Sequence, residues 1–97
     1  MRVISRKTLK QFWEKHVDAK DWLEDWCAEA KSSVWKSPEE IKKRYSSTSI
    51  LSGNRAVFNV CGNHYRLIIQ VNYRYGIIYI RFIGTHAEYD KVDANRI

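Results

Sequence analysis

The sequence has no long apolar segment. No stretch of it approaches the roughly 18–20 apolar residues that a helix needs to span a bilayer. The first ten residues, MRVISRKTLK, also lack the apolar centre of a secretory signal peptide. We therefore predict a cytoplasmic protein that does not bind a membrane.

Cysteine and histidine are scarce and scattered. The chain has two cysteines, Cys27 and Cys61, without CxxC spacing, and three widely spaced histidines. This pattern does not favour a metal site or a redox motif, so we predict no metal and no cofactor. The two cysteines could form a disulfide, but isolated thiols in a reducing cytosol are the preferred interpretation.

Size and charge narrow the function classes. The 97 residues leave room for one hydrophobic core, so we predict a single domain over residues 1–97. Hydrophobic residues make up 44% and charged residues 29%, as in soluble globular proteins. The formal net charge is +6, which on so small a body attracts polyanions. Nucleic acid is the first candidate partner, an acidic protein is the second, and a merely solubilising charge is the third interpretation.

Helical spacing dominates the first part of the chain. Ser5 is predicted to cap a helix that runs to about His16, itself a core residue at the helix end. Asp18 or Asp21 is predicted to open a second helix. The apolar positions recur at i, i+3 and i+4, and they include three tryptophans that we predict to be core: Trp13, Trp22 and Trp26.

A third helix and a loop are predicted before the pattern changes. Ser37 is the expected cap, Glu40 completes a capping box, and the helix fades near Tyr45. Residues 46–54 are polar and are predicted to form a loop, whereas residues 2–4 are short and β-prone and are predicted to add an edge strand.

From Arg55 onward the period becomes two, which is typical of strands. Runs at 55–61, 64–73 and 77–84 predict three antiparallel strands, the first two joined by a two-residue Gly62-Asn63 turn. The predicted fold class is therefore α+β, with the N-terminal helices on one face of a small antiparallel sheet and a short C-terminal helix.

Alternation along the strands assigns side chains to the two faces of this sheet. One set is predicted to contact the helices: Tyr65, Leu67, Ile69 and Val71. Phe82 is predicted to share a face with Ile78 and Ile80, opposite Ile83. The face without helices is predicted to carry four cationic or aromatic side chains: His64, Arg66, Tyr79 and Arg81.

The segment GTHAEYDK, residues 84–91, follows the last strand. Thr85 is predicted to cap a helical turn with Glu88 at the capping-box position. His86, Tyr89 and Asp90 then stand at i, i+3 and i+4, on one side of that turn. The cluster can therefore overlook the cationic face of the sheet.

The sequence resembles the HigB family of type II toxins, mRNA interferases of the RelE-like group. The resemblance covers nearly the whole chain in order, in RKTLKQFWEKH (residues 6–16), WKSPEEIK (35–42), VFNVCGNHYRLI (57–68) and IRFIGTHAEYDKVD (80–93). It implies a RelE-like fold with an open RNA-binding face. It also implies metal-independent cleavage of mRNA, usually on the translating ribosome, and neutralisation by a HigA-type helix-turn-helix antitoxin, with DNA contacted only through that complex.

The motifs of the resemblance carry the predicted catalytic residues, which are Arg66, Arg81, His86, Tyr89 and Asp90. Metal-free RNA cleavage needs a base for the ribose 2′-hydroxyl, an acid for the departing 5′-oxygen, and cations for the phosphate. A neutral His86 is the expected base, oriented through its other ring nitrogen by Asp90, and the arginines are the expected cations. Tyr89 either donates a proton or stacks on a base.

The predicted RNA-binding set is His64, Tyr79, Lys91 and Arg55. Two alternatives to a toxin remain, a non-catalytic RNA- or ribosome-binding module and a protein-interaction domain. The chain lacks the signatures of RRM, KH and helix-turn-helix modules, which weakens the first of these.

Overall fold

In the computed structural model, which describes residues 1–97, four α-helices accompany one sheet of five strands. The strands are β1 (Arg2–Ile4), β2 (Ser49–Leu51), β3 (Arg55–Val60), β4 (Tyr65–Asn72) and β5 (Ile77–Thr85). The helices are α1 (Arg6–Lys15), α2 (Lys20–Ser32), α3 (Pro38–Arg44) and α4 (His86–Tyr89), with a 3₁₀ turn at Val17–Ala19. No helix is both long enough and apolar enough to cross a bilayer.

The strands lie in the order β1-β5-β4-β3-β2. β2 to β5 are antiparallel neighbours, and β1 pairs with β5 in parallel. The α+β prediction, the edge strand at 2–4 and the antiparallel meander are confirmed. The loop predicted at 46–54 is wrong, because β2 forms there. Gly53 and Asn54 both have positive φ and turn the chain back within three residues, so that Leu51 pairs with Arg55.

The predicted helix starts are wrong in detail. Ser5 and Ser37 occupy the N-cap positions of α1 and α3, but neither side chain accepts a capping hydrogen bond, so the capping box with Glu40 does not form. The serine backbone carbonyls accept instead, from Thr8 N at 3.0 Å and from Glu40 N at 3.2 Å. α2 begins at Lys20 from the 3₁₀ turn, so neither predicted aspartate is its N-cap.

The main core lies between the helices and one face of the sheet. All four residues of β4 predicted to face the helices are buried in it, Tyr65, Leu67, Ile69 and Val71. Trp13 and Trp26 are buried, as predicted, whereas Trp22 is only half-buried against the core. His16, which we predicted to be a core residue, is half-buried and stacks on Phe12 with ring centroids 4.3 Å apart.

A β-bulge interrupts the alternation of β5. Ile68 pairs with Phe82 while the next residue, Ile69, pairs with Ile80, which leaves Arg81 as an extra residue. After the bulge, each side chain of β5 points to the face opposite to the one that unbroken alternation predicts. Phe82 therefore lies opposite Ile68 on the face without helices, and Ile83 packs against the main core. The predicted faces of these two residues were wrong for this reason.

The face of the sheet without α1 and α2, here called the second face, is not fully open. Val57 and Ile68 lie on it and are only 3% and 0% exposed. The chain after β5 covers them. Tyr89 packs on Phe82, with ring centroids 6.4 Å apart, and Arg55 Nε donates to the Ile97 carbonyl at 3.0 Å. The open part of the second face therefore lies toward the Asn72 end of β4.

The β3–β4 connection is longer than predicted. Val60 pairs with Tyr65, so four residues form the turn rather than two. Cys61 and Gly62 both have positive φ, and the turn is joined to α4 by a hydrogen bond from His86 N to the His64 carbonyl at 3.2 Å. The connection therefore reaches the segment that follows β5. Both cysteines are free thiols.

Candidate active site at the β5–α4 junction

A capping box fixes the turn that carries the predicted catalytic residues. Glu88 N donates to Thr85 Oγ1 at 3.1 Å, and Thr85 N donates to Glu88 Oε1 at 2.8 Å, as predicted. These hydrogen bonds from Thr85 lower the pKa of Glu88, so its carboxylate stays charged. The turn therefore holds His86, Tyr89 and Asp90 in fixed relative positions.

Arg66 is buried and fully engaged within this site. It is 9% exposed, and its NH1 donates to the carbonyls of Tyr65 (3.1 Å) and Asn63 (3.3 Å). Its NH2 lies 3.3 Å from Asn63 Oδ1 and 3.1 Å from His86 Nδ1. No carboxylate pairs with it, so the positive charge of the guanidinium is balanced only by neutral acceptors.

The contact with Arg66 determines where His86 carries its proton. A guanidinium has only donors, so Nδ1 of His86 must be the acceptor, and we assign the ring proton to Nε2. Nε2 lies 3.5 Å from Asp90 Oδ1, and the two side chains are 52% and 63% exposed. Asp90 therefore lies beside the ring nitrogen to which we assign the proton, and its role in orienting His86 stays a prediction. The lone pair on Nδ1, which a base would use, is occupied by Arg66 in this structure.

Tyr89 completes the cluster. The guanidinium of Arg66 lies 5.9 Å from the centre of the Tyr89 ring, on its face, and Phe82 supports the ring from the second face. A cation over a tyrosine ring is an electrostatically favourable pair. The structure thus brings together four of the five predicted catalytic residues, which we call the His86 cluster: Arg66, His86, Tyr89 and Asp90.

Arg81 is not part of the His86 cluster. Its Nε and NH2 both donate to Gln70 Oε1, at 3.1 and 2.7 Å, and its guanidinium lies 5.1 Å from the centre of the Tyr79 ring. Gln70 is four residues beyond Arg66 on β4, which corresponds to roughly 13 Å along the strand. The predicted catalytic set therefore divides into two separate groups on the second face.

The comparison with known proteins decides the family. The model of the HigB toxin family, described as the RelE-like toxic component of a toxin-antitoxin system, matches residues 19–92. The chain belongs to the HigB family. The mRNA interferase toxin HigB of Escherichia coli strain K12 is 33% identical to it over 92 residues, which is 93% of this chain and 88% of that protein. The mRNA interferase HigB of Shigella flexneri shows the same identity and coverage.

In this HigB-family protein, two residues of the predicted RNA-binding set are engaged elsewhere. His64 lies in the turn, not in β4, and its Nδ1 is 3.8 Å from Asp18 Oδ2. Because Asp18 belongs to the 3₁₀ turn, the prediction that His64 points to the second face with Arg66 was wrong. Arg55 is on the second face, where it holds Ile97. Lys91 is exposed directly after the His86 cluster, and Tyr79 supports Arg81.

Two residues that support the site were missed at the sequence level. Asn63 gives Arg66 two acceptors, its backbone carbonyl and its side-chain oxygen. Gln70 holds Arg81 and is itself anchored, because its Nε2 donates to the Gly53 carbonyl at 2.9 Å. Gln70 could have been found, since alternation already placed it on the face of Arg66. Asn63 carries no such signal, because its role depends on the conformation of the turn.

Groups of three or more His, Cys, Asp or Glu side chains that could hold a metal ion do not occur in the chain. The expectation of a metal-independent reaction stays a prediction.

Proposed function

We propose that this HigB-family protein is an mRNA-cleaving toxin whose reaction takes place at the His86 cluster. The observation that carries the proposal is the contact between the buried Arg66 and His86 Nδ1, which places a cation and a potential base 3.1 Å apart at an accessible turn. The names of the relatives, both called mRNA interferases, support RNA as the substrate.

In the proposed reaction the RNA phosphate takes the place of His86 on Arg66. A guanidinium binds a phosphate oxygen by charge-assisted hydrogen bonds, which are stronger than its bond to a neutral imidazole. NH2 already faces His86, so it can donate to a phosphate there while NH1 keeps its two carbonyl acceptors. Substrate binding therefore frees the Nδ1 lone pair of His86 at the moment when a phosphate is in place beside it.

The freed His86 Nδ1 takes the proton of the ribose 2′-hydroxyl, whose oxygen attacks phosphorus. The bond from phosphorus to the 5′-oxygen breaks, and Tyr89 supplies the proton that this oxygen needs. The products are a 2′,3′-cyclic phosphate and a free 5′-hydroxyl. Asp90 keeps the other ring nitrogen oriented and balances the charge that develops on the imidazole.

We propose that cleavage takes place in the cytoplasm on the translating ribosome, and that a HigA-type helix-turn-helix antitoxin neutralises the protein. Lys91, directly after the His86 cluster, and the separate pair of Arg81 and Tyr79 then provide RNA contacts. The excess of 17 Lys and Arg over 11 Asp and Glu supports binding to such a polyanionic environment.

A translating system with primer extension on the message tests the proposal. His86→Ala should lower cleavage by roughly 10²–10⁴-fold, because it removes the base. His16→Gln is the matched control, since this histidine lies on α1 against Phe12, and it should cut like the unmutated protein. If His86→Ala cleaved the message at the same rate as the unmutated protein, the chemistry would have to take place outside the His86 cluster. Binding to ribosomes without any cuts by the unmutated protein would favour a non-catalytic binding module.

A further inference from the structure

We infer that the groove beside Tyr79 and Arg81 is a subsite for one unpaired nucleotide of the RNA, separate from the His86 cluster. The groove has a volume of about 360 Å³, which is within the range of small-ligand sites. The inference rests on the proposed RNA-cleaving function and assigns the groove the task of holding a nucleotide that flanks the cleaved bond.

Arg81 is held in place but keeps its charge available. It is the extra residue of the bulge and lies on the second face, where Gln70 Oε1 accepts from both Nε and NH2. Gln70 is fixed in turn by the Gly53 carbonyl. Arg81 is exposed and forms no ion pair. A rigid, uncompensated guanidinium of this kind is suited to a phosphate or to the edge of a base.

Tyr79 lines the same groove, and Arg81 and Tyr75 lie next to residues that line it. The guanidinium of Arg81 stacks over Tyr79, and at the β4–β5 turn Arg74 lies 5.4 Å from the centre of the Tyr75 ring. Tyr75 is 67% exposed, so its ring is accessible from solvent. Proteins hold single-stranded RNA by stacking bases on tyrosine rings and on arginine planes, so the groove has the required surfaces.

The amides of the groove favour a nucleobase over an acidic peptide. Asn54 and Asn72 line it, and the Asn72 Oδ1 atom already accepts from Tyr75 N at 3.1 Å. The NH₂ group of Asn72 therefore remains to donate to a base edge. An acidic peptide would use only the arginines and would leave the rings and amides unmatched. A duplex would keep its bases stacked on each other and away from Tyr79.

The position of the groove decides which nucleotide it holds. Gln70 is roughly 13 Å from Arg66 along β4, which is beyond hydrogen-bonding reach of the phosphate at the His86 cluster. A nucleotide in the groove is therefore not the one whose phosphate lies at the His86 cluster, and we assign it to a position that flanks the cleaved bond along the strand. The groove then contributes to affinity and to the preference for sequence, but it takes no part in proton transfer.

Binding of short single-stranded RNA, followed by fluorescence anisotropy, tests the subsite. In the His86→Ala background, which prevents cutting, Tyr79→Ala should weaken binding roughly tenfold, whereas Tyr79→Phe keeps the ring and should stay within about twofold. Removing one base from the oligonucleotide should weaken its binding to the His86→Ala variant that retains Tyr79 by a similar factor. The same removal should add little to Tyr79→Ala, because both changes delete one contact.

The second measurement is the sequence around the cuts in a translating extract. Tyr79→Ala should change the distribution of nucleotides beside the cleaved bond. If free RNA binds too weakly for its affinity to be measured, this distribution of nucleotides is the deciding result. Unchanged affinity or, in that case, an unchanged distribution would overturn the subsite. The subsite would also be overturned if poly-glutamate displaced the RNA and if its own binding were weakened to the same degree by Tyr79→Ala.

The two proposals fail in different ways. If the protein binds RNA through Tyr79 but never cleaves, the proposed function fails and the subsite stands. If the protein cleaves normally and Tyr79→Ala has no effect on binding or on the cut sites, the subsite alone fails.

Discussion

The burial of Arg66 predicts that its replacement will act on stability as well as on RNA. Arg66→Ala removes a side chain that is 9% exposed and that makes four contacts shorter than 3.5 Å. Two of them end on Asn63 in the β3–β4 turn, one ends on the Tyr65 carbonyl at the start of β4, and one ends on His86. The substitution therefore removes the donor to the Asn63 and Tyr65 carbonyls, and it leaves the hydrogen bond from His86 N to the His64 carbonyl to hold the turn on α4.

The size of the effect follows from these contacts. Hydrogen bonds to a charged group contribute roughly 1.5–3 kcal/mol each, but the contacts of Arg66 are 3.1–3.3 Å long and share acceptors on one residue, so they do not add fully. We expect a loss of roughly 2–4 kcal/mol in the free energy of unfolding. For a domain of this size that corresponds to a fall in Tm of roughly 10–25 °C.

Arg81→Ala is the matched control, because it removes the same side chain from an exposed position on the same face. It should cost no more than about 1 kcal/mol and should leave the melting curve within a few degrees of the unmutated protein. The stability of both variants can be measured by thermal unfolding, monitored by circular dichroism, and by unfolding in urea. Equal melting temperatures for Arg66→Ala and Arg81→Ala would refute the structural role of Arg66. Cleavage by Arg66→Ala must be compared at a temperature where it is folded.

Two further predictions concern stability and pH. Tyr65 donates to Asp18 Oδ1 at 2.7 Å, and this bond raises the pKa of Tyr65 to about 12 from 10.0. The stability advantage over Tyr65→Phe should therefore be full below pH 10 and should disappear as the pH rises through about 12, in urea unfolding at each pH; a constant advantage would contradict it. Thr85→Ala should cost about 1 kcal/mol and impair cleavage by loosening the His86 turn. Because the hydrogen bonds from Thr85 lower the pKa of Glu88, the stability advantage of the unmutated protein over Thr85→Ala should shrink as the pH falls below 4.5.

Periodicity predicted the sheet well because burial on one face leaves a simple trace in the sequence. In β4 the alternation is unbroken, and every residue assigned to the helices is in the core. In β5 the same rule failed after Arg81, because one extra residue exchanges the faces and a bulge has no reliable sequence signature. The helix caps failed differently. Ser5 and Ser37 stand where a cap belongs, but backbone carbonyls took the role.

The candidate site was predicted in its residues more than in its arrangement. The turn motif fixed His86, Tyr89 and Asp90 on one side, and a capping box has a local sequence pattern that can be recognised. The separation of Arg66 from Arg81 could not be predicted, since it depends on which acceptors their long side chains find. Asn63 and Gln70 are those acceptors, and both contacts depend on side-chain conformations that the sequence pattern does not give.

The bulge at Arg81 also has a consequence for how such proteins can diverge. Deleting this one residue would restore an unbroken register in β5, with Ile80 and Ile83 still on the core side and Phe82 still on the other. The packing of the domain therefore does not constrain the position, in contrast to its neighbours. Natural selection could insert, remove or exchange the residue there without redesigning the core, so substrate preference could change from one relative to the next while the fold stays the same.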